Sequence, residues 1–258
     1  MVLARGRQHR LLGLSALLLV LVLPARAGAA EDERGFFDPL VTLDPGISRE
    51  LSFVVDHIRA DGERLTSMSA KLQYPVLPWL QFSIEMPVLV PDGPTEDPTI
   101  GAGDLVLTGQ AALLTSRDGR SELAAGVELT LPTGSVSLLA GSTAVRPFVT
   151  GAIKLGPLGL IANVSHLWVV AGPVADVQLF QANSALGYPL LPWITPFVEL
   201  NLIKPVQGLA DLRPQVYALP GLELFLPWSL SLSAGVQLPL TSARLFEQRV
   251  LGLLKWQF

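Results

Sequence analysis

The fold is decided at the C-terminus, by the stretch Val250-Leu251-Gly252-Leu253-Leu254-Lys255-Trp256-Gln257-Phe258. Side chains of a strand alternate between its two faces, so Trp256 and Phe258 share an apolar face while Lys255 lies on the other. An apolar face that ends in aromatic residues suits lipid, and a face that tolerates charge suits water. The terminal aromatic residue also resembles the sorting signal that barrel-assembly machinery reads. The stretch therefore predicts an all-β fold, a bacterial outer-membrane β-barrel, with that machinery as a partner.

The N-terminus has the features of a secretory signal peptide. Arg5, Arg7 and Arg10 precede an apolar run over residues 11–23, and small residues follow over 24–30. The run is short for a membrane-spanning helix, which needs about 20 residues. Small residues at alternate positions give a peptidase its cleavage site. We expect residues 1–30 to be a cleaved signal peptide, and the alternative is a retained N-terminal anchor.

Charge and cysteine content exclude several classes of function. Removal of the signal peptide lowers Lys and Arg from 18 to 14, against 22 Asp and Glu, so the mature net charge is −8. No basic cluster follows the signal peptide, so nucleic acid is not an expected partner. The absence of cysteine excludes disulfides, thiol nucleophiles and Cys-based metal sites.

The hydropathy of the chain requires a closed sheet if it crosses a membrane. Hydrophobic residues make up 50% of the chain and the mean hydropathy is +0.46. After residue 23, however, no stretch approaches the roughly 18 apolar residues of a spanning helix. Backbone groups in hydrocarbon must all be satisfied internally, and a closed barrel is the remaining way to do so.

Alternation of apolar and polar residues predicts about 12 strands over residues 49–258. The clearest segments are 67–74, 80–86, 104–110, 122–131, 228–238 and 250–258, and the weaker ones are 50–59, 146–155, 158–169, 177–188, 193–203 and 211–225. A break in phase near Phe180 and Gln181 predicts a bulge. Pro220, in the middle of its segment, lacks a ladder donor and weakens the prediction there.

A partial repeat sets the orientation of the predicted barrel. The pattern Tyr-Pro-x-Leu-Pro-Trp occurs at residues 74–79 and 188–193, and its second half recurs at 225–228. These turns follow even-numbered strands, so with periplasmic termini they lie on the periplasmic side. The longer connections at residues 87–100, 133–143 and 204–212 then lie outside. Seven aromatic residues are predicted to form the periplasmic girdle: Tyr74, Trp79, Tyr188, Trp193, Trp228, Trp256 and Phe258.

Ionisable residues in the phase of the polar face are predicted to line the lumen. Lys or Arg on the lipid face costs about 2–4 kcal/mol at the membrane midplane, so these charges indicate a polar interior. The set is Asp56, Lys71, Glu85, Asp104, Glu128, Lys154, Glu199, Glu247, Arg249 and Lys255. They either line a narrow water-filled pore or pair across the lumen and plug it. Residues 31–48, which alternate little, either extend into the periplasm or enter the lumen.

The sequence contains no recognisable catalytic, cofactor or metal site. A lipid hydrolase would place His and Ser together, because a hydroxyl needs a base to become a nucleophile. His166 adjoins Ser165, but neighbouring residues of a strand point to opposite faces. We expect no enzyme activity, and an interfacial histidine is the preferred interpretation of His166. Replacing His57 and His166 by Ala with no loss of lipolytic activity would exclude the hydrolase.

Two short motifs carry a family resemblance. Gly101-Ala102-Gly103-Asp104-Leu105 opens one strand and Leu131-Pro132-Thr133-Gly134 closes the next. In these the chain resembles the family of the putative MetA-pathway of phenol degradation. The resemblance implies an outer-membrane barrel, transporter-like, for aromatic or hydrophobic compounds, with Asp104 and Thr130 in the lumen near the rim. Where that family often has an acidic residue after the second motif, this chain has Ser135.

Three functions follow, in order of preference. The first is passive passage of small, aromatic or hydrophobic, molecules through the outer membrane. The second is a structural or binding barrel with a plugged lumen, whose outer loops contact lipopolysaccharide or another partner. The third is an outer-membrane lipid hydrolase.

Overall fold

The computed structural model describes residues 36–60, 63–92, 100–136, 139, 141–208 and 213–258. The predicted signal peptide lies outside the described residues. Within the described part of the chain, no helix is long and apolar enough to cross a membrane.

The described residues form β-strands that belong to one sheet. Their bounds are β1 Glu50–Ala60, β2 Glu63–Leu77, β3 Leu80–Asp92, β4 Gly101–Ala102, β5 Leu105–Thr115, β6 Ser121–Leu131, β7 Thr143–Leu155, β8 Leu158–Ala171, β9 Gln178–Gly187, β10 Ile194–Gln207, β11 Gln215–Leu226, β12 Leu230–Pro239 and β13 Gln248–Gln257.

The sheet is antiparallel and closes on itself. Apart from the two-residue β4, each strand pairs with the next long strand along the chain, and β1 pairs with β13 from Glu50 opposite Gln257 to Arg59 opposite Gln248. The short β4 and the longer β5 pair with successive parts of β3, so they share one position in the wall. The wall therefore has 12 positions, and the prediction of an all-β barrel of about 12 strands is confirmed.

The two faces of the wall differ as the alternation predicts. Phe53 and Met86 are 48% and 63% exposed on the outer face, where lipid would cover them. On the inner face Gln81, Glu199 and Ser233 are buried. Polar side chains thus turn inward and apolar side chains turn outward, the reverse of a soluble globular core.

The predicted bulge at Phe180 and Gln181 is wrong. Both residues keep an unbroken register with β8 and β10, and the register shifts instead in β10, between Pro205 and Gln207. The pattern breaks because a polar side chain occupies an outward position of β9. Polar Gln178 lies on the outer face, where its side-chain oxygen is 3.1 Å from His166 Nε2. Strand β11 likewise runs through Pro220, which lies opposite Val198.

The turns are distributed as the repeat predicts. Tight turns join β2 to β3, β7 to β8 and β11 to β12, at the end of the barrel where β1 begins and β13 ends. The longer connections lie at the other end, although two are shorter than predicted because β3 extends to Asp92 and β10 to Gln207. All seven aromatic residues of the predicted girdle are exposed, and Trp228 is 83% exposed. Trp256 and Phe258 pack against each other with their ring centroids 5.2 Å apart.

Charge on the outer face should destabilise the barrel more than charge on the inner face. Met86 lies roughly 20 Å along β3 from its first residue, at about 3.3 Å per residue, and is outward. Met86→Arg should lower the free energy of unfolding in lipid bilayers by about 2–4 kcal/mol. Ser83→Arg, on the inner face of the same strand, is the matched control and should cost much less. Equal costs in urea titrations would contradict the assignment of faces.

Candidate functional site in the barrel lumen

Residues 36–48 lie inside the barrel, and we call them the lumen segment. They have no regular secondary structure, so their backbone groups need partners in the wall. Polar side chains of the inner face supply those partners on strands distributed around the barrel. Of the two alternatives drawn from the sequence, periplasmic extension or insertion into the lumen, the structure shows insertion for residues 36–48.

Glu199 of β10 holds the middle of the lumen segment. Its carboxylate accepts the N–H groups of Leu40 at 2.6 Å and Thr42 at 2.8 Å, and also the Thr42 hydroxyl at 2.7 Å. The Val41 N–H lies 3.2 Å from both carboxylate oxygens. Glu199 is fully buried, and a buried carboxylate is costly unless donors surround it. The segment backbone supplies those donors, so the carboxylate and the segment stabilise each other.

Asp38 anchors the start of the lumen segment to the last strands of the barrel. Its carboxylate forms a buried ion pair with Lys255 of β13 and accepts the Ser231 hydroxyl of β12 at 2.9 Å. Its backbone N–H donates to Glu223 of β11 at 3.1 Å, and its carbonyl accepts the Ser233 hydroxyl at 3.2 Å. Strands β11, β12 and β13 therefore all bind one residue of the segment.

Side-chain amides hold the end of the lumen segment that leads into β1. Gln110 of β5 donates to the Pro45 carbonyl at 3.0 Å. Gln81 of β3 donates to the Gly46 carbonyl at 3.1 Å and accepts the Ser48 N–H at 3.0 Å. Gln73 of β2 donates to the Ser48 hydroxyl at 3.0 Å. The segment is thus attached to the wall along its length.

Phe36 and Phe37 fill an apolar site at the start of the segment. Phe37 stacks on Phe197 with centroids 5.6 Å apart. It lies against Gly187, where a Cβ atom would come within 2.6 Å of the Phe37 ring. The close approach explains a glycine at the end of β9. Lys154, a predicted lumen residue, places its ammonium 5.1 Å from the Phe36 ring centroid.

A cavity of about 490 Å³ lies inside the barrel against the segment, and we call it the outer chamber. Residues 38–44 of the lumen segment form one part of its lining, and inner-face residues form the rest. Two ion pairs face it from nearly opposite walls. Arg249 of β13 binds Asp56 of β1 through two hydrogen bonds of 2.9 and 2.7 Å, and Arg146 of β7 pairs with Glu128 of β6.

The structure distributes the ten predicted lumen residues over four places. Six line the outer chamber: Asp56, Lys71, Glu85, Glu128, Arg249 and Lys255. Glu199 and Lys154 contact the lumen segment. Asp104 accepts the Gly134 N–H at 3.1 Å in the connection after β6. Glu247 precedes β13 and lies 3.6 Å from Arg59 and 3.8 Å from Arg244, so it belongs to the rim rather than to the lumen.

Sequence reasoning missed an amide belt on the inner face. Asn183 donates to Asn163 at 3.3 Å, Asn201 donates to Asn183 at 3.2 Å, and Gln237 donates to Asn201 at 2.7 Å. Asn163 also accepts the Leu43 N–H of the segment at 3.1 Å. Arg146 and Asp38 were missed as well. The alternation contains the signal for the belt, because these amides occupy inward positions of their strands.

His57 and His166 lie on the outer face. His57 Nδ1 is 2.9 Å from the Thr66 hydroxyl, and His166 contacts Gln178. Ser165 lies on the inner face and its hydroxyl donates to Gln181 at 3.3 Å. The two neighbours Ser165 and His166 are therefore on opposite sides of the wall, as the alternation predicts.

An outer-membrane channel and two porins of known structure have the same fold. An outer-membrane channel from Pseudomonas putida F1 aligns with a TM-score of 0.65 and 16% identity over 86% of this chain and 100% of that chain. The NanC porin aligns with a TM-score of 0.58 and 9% identity over 81% and 98% of the two chains. For the KdgM porin the TM-score is 0.54, with 13% identity over 80% and 99%.

The fold is that of an outer-membrane β-barrel. At these identities the likeness establishes the architecture, and the match extends over almost the whole of each barrel. No family model matches the chain. No curated protein matches it either.

Loss of the Glu199 carboxylate should release the lumen segment. Glu199→Gln keeps the size of the side chain but removes the charge that several donors share, and a hydrogen bond to a charged group contributes about 1.5–3 kcal/mol. The open fraction in single-channel recordings should rise about tenfold or more. Glu63→Gln, at an exposed site at the start of β2, is the matched control. An unchanged open fraction in Glu199→Gln would show that the carboxylate does not hold the segment.

The carboxyl of Asp44 should make docking of the segment depend on pH. Burial raises the pKa of Asp44 from 3.8 to about 6, and Asp38 and Glu50 add to the rise while Lys255 and the Gly46 N–H oppose it. A raised pKa means that the docked state binds the proton more tightly, so this stabilisation is present at low pH and is lost as pH rises through about 6.

The open fraction of the wild-type channel should therefore increase from pH 5 to pH 7.5 by more than that of Asp44→Asn. The difference between the two proteins isolates Asp44 from the other titrating groups of the lumen. Identical pH profiles would contradict the prediction.

Proposed function

We propose that the protein is an outer-membrane channel for the passive passage of small molecules, and that the docked lumen segment holds it closed at rest. The observation that carries the proposal is the polar outer chamber, which is bounded by residues 38–44. A structural barrel has no need of an unfilled polar chamber, whereas a channel requires one. The fold shared with an outer-membrane channel and two porins supports the same function.

Closure by the segment is reversible in this proposal because polar contacts dominate it. Glu199, Gln110 and Gln81 bind the segment through hydrogen bonds, which water can replace. A typical hydrogen bond contributes only about 0.5–1.5 kcal/mol net. The ion pair between Asp38 and Lys255 and the apolar site of Phe37 are the strongest obstacles to release.

We assign the chain more finely to the family of the putative MetA-pathway of phenol degradation. The support is the packing of the two motifs against each other. Gly134 donates its N–H to Asp104, and a Cβ atom on Gly134 would lie 2.5 Å from the Gly103 carbonyl carbon. The motif residues therefore have a structural reason for their identity. Passage of aromatic or hydrophobic compounds is the substrate class that this assignment suggests.

The barrel-assembly machinery inserts the chain through β13, whose outward Trp256 and terminal Phe258 are exposed. Lipopolysaccharide surrounds the outer half of the barrel. Passage through the lumen needs neither a cofactor nor a covalent step, and we assign no catalytic role to His57 or His166.

The second candidate function is a plugged structural barrel, and one observation favours it. The buried Asp38–Lys255 pair and the Phe37 site attach the same end of the segment to the wall. In that case the segment would stay docked under all conditions.

Removal of the segment separates the two candidates. In planar bilayers the full mature chain should show brief openings, because the docked segment closes the lumen. The chain lacking Glu31 to Ser48 should show long-lived openings of larger conductance. A permanently silent full chain with a conducting truncated chain would favour the plugged barrel. Silence of both would contradict the channel.

A further inference from the structure

In the part of the chain that the structure describes, three charged side chains of the outer chamber, Asp44, Lys71 and Glu85, remain outside its ion pairs. Asp44 belongs to the lumen segment and accepts the Gly46 N–H at 3.0 Å, so Lys71 and Glu85 are the two on the wall. Lys71 of β2 and Glu85 of β3 lie directly opposite each other in the register, and both line the chamber. Among the described residues neither forms an ion pair or a side-chain hydrogen bond. The other chamber cations behave differently, since Arg146, Arg249 and Lys255 each have a carboxylate partner. The wall of the chamber therefore presents one positive and one negative side chain, neither of which forms an ion pair or a side-chain hydrogen bond with a described residue.

An apolar surface adjoins this pair of charges. Val54 of β1 and Leu251 and Leu253 of β13 line the chamber, and β1 is the neighbour of β2 in the wall. Leu40 and Leu43 of the lumen segment line it too. The hydroxyl side chains of Ser69 and Ser83, two residues from Lys71 and Glu85 on the same strands, line the chamber as well. The wall of the chamber thus combines an apolar surface with one ammonium and one carboxylate that are outside its ion pairs.

We propose that the outer chamber binds small amphipathic zwitterions, molecules with an apolar body, one ammonium group and one acid group. The acid group pairs with Lys71, the ammonium group pairs with Glu85, and the apolar body packs against Val54, Leu251 and Leu253. The inference deepens the proposed function and rests on it for its transport meaning, whereas binding itself can be tested separately. The chamber volume of about 490 Å³ lies in the range of about 300–1,000 Å³ for small-molecule sites.

The charge pattern discriminates among classes of ligand. A neutral molecule forms an ion pair with neither Lys71 nor Glu85, and charges interact more strongly in a confined space than in bulk water. A simple anion or cation pairs with one of them and is repelled by the other. A zwitterion pairs with both, and the register places both at the same level of the barrel. An apolar body adds the burial of its surface, worth about 25 cal/mol per Å².

The test uses three probes that share a phenyl group and differ in charge. L-phenylalanine carries both charges, 3-phenylpropionate only the acid, and phenethylamine only the ammonium. Isothermal titration calorimetry of the full mature chain in lipid nanodiscs should show L-phenylalanine binding most tightly. Lys71→Met should weaken L-phenylalanine and 3-phenylpropionate by about tenfold and spare phenethylamine. Glu85→Gln should weaken L-phenylalanine and phenethylamine by a similar factor and spare 3-phenylpropionate.

Lys204→Met, at an exposed position near the outer end of β10, is the matched control and should change none of the three affinities. Heat-modifiable mobility in gels verifies that each variant forms the barrel, and Lys71→Gln replaces Lys71→Met if the latter fails to fold. Equal binding of the three probes, no binding of L-phenylalanine, or effects of both variants that ignore probe charge would overturn the proposal.

The outcome is separable from that of the channel. Charge-selective binding in calorimetry without conductance in planar bilayers would support the binding site and contradict the channel function. Conducting bilayers without charge-selective binding would keep the channel and remove this ligand class.

Discussion

The structure depends on the ladder between β1 and β13. In hydrocarbon an unpaired backbone N–H or C=O costs several kcal/mol, so a sheet with free edges cannot cross a membrane. The ladder joins the first and last strands from Glu50 to Arg59 and removes both edges. Closure also forces each side chain to one of two environments. Polar residues turn toward the lumen, and the lumen is the candidate functional site.

The interior of the barrel is partly filled, by residues 36–48, and partly open, at the outer chamber. A 12-strand lumen is wider than that of an 8-strand barrel, which side chains can fill. Here the chain supplies its own filling from residues 36–48, whose irregular backbone brings many unsatisfied N–H and C=O groups. Glu199 and the inward glutamines form hydrogen bonds with these groups. The same hydrogen bonds offset the cost of burying the Glu199 carboxylate and the cost of burying an irregular backbone. The part left unfilled is the outer chamber.

The sequence predicts the wall much better than its contents. Alternation with a period of two is a local property, and segments such as 228–238 and 250–258 give the strands, their faces and the strand number. The alternation gives a wrong prediction where a polar residue lies on the outer face or an apolar residue lies on the inner face. Gln178 turns outward to contact His166, and the resulting pattern resembled a bulge that does not exist. Glu247 is an ionisable residue close to β13 in the sequence, as the lumen residue Arg249 is. Its neighbours in the structure are Arg59 and Arg244, which place it at the rim. Partners such as Asp38 and Lys255 are 217 residues apart, a separation that no local pattern can bridge.

That separation has a consequence for the order of assembly. Asp38 is made before every strand of the barrel, but its partners Ser231, Ser233 and Lys255 belong to the last two strands. Asp38 therefore cannot form all of its contacts until β12 and β13 have joined the wall. Without these two strands, the Asp38 carboxylate lacks both its ion-pair partner and the Ser231 hydroxyl. Complete docking of the lumen segment therefore requires that the last two strands of the chain are in place.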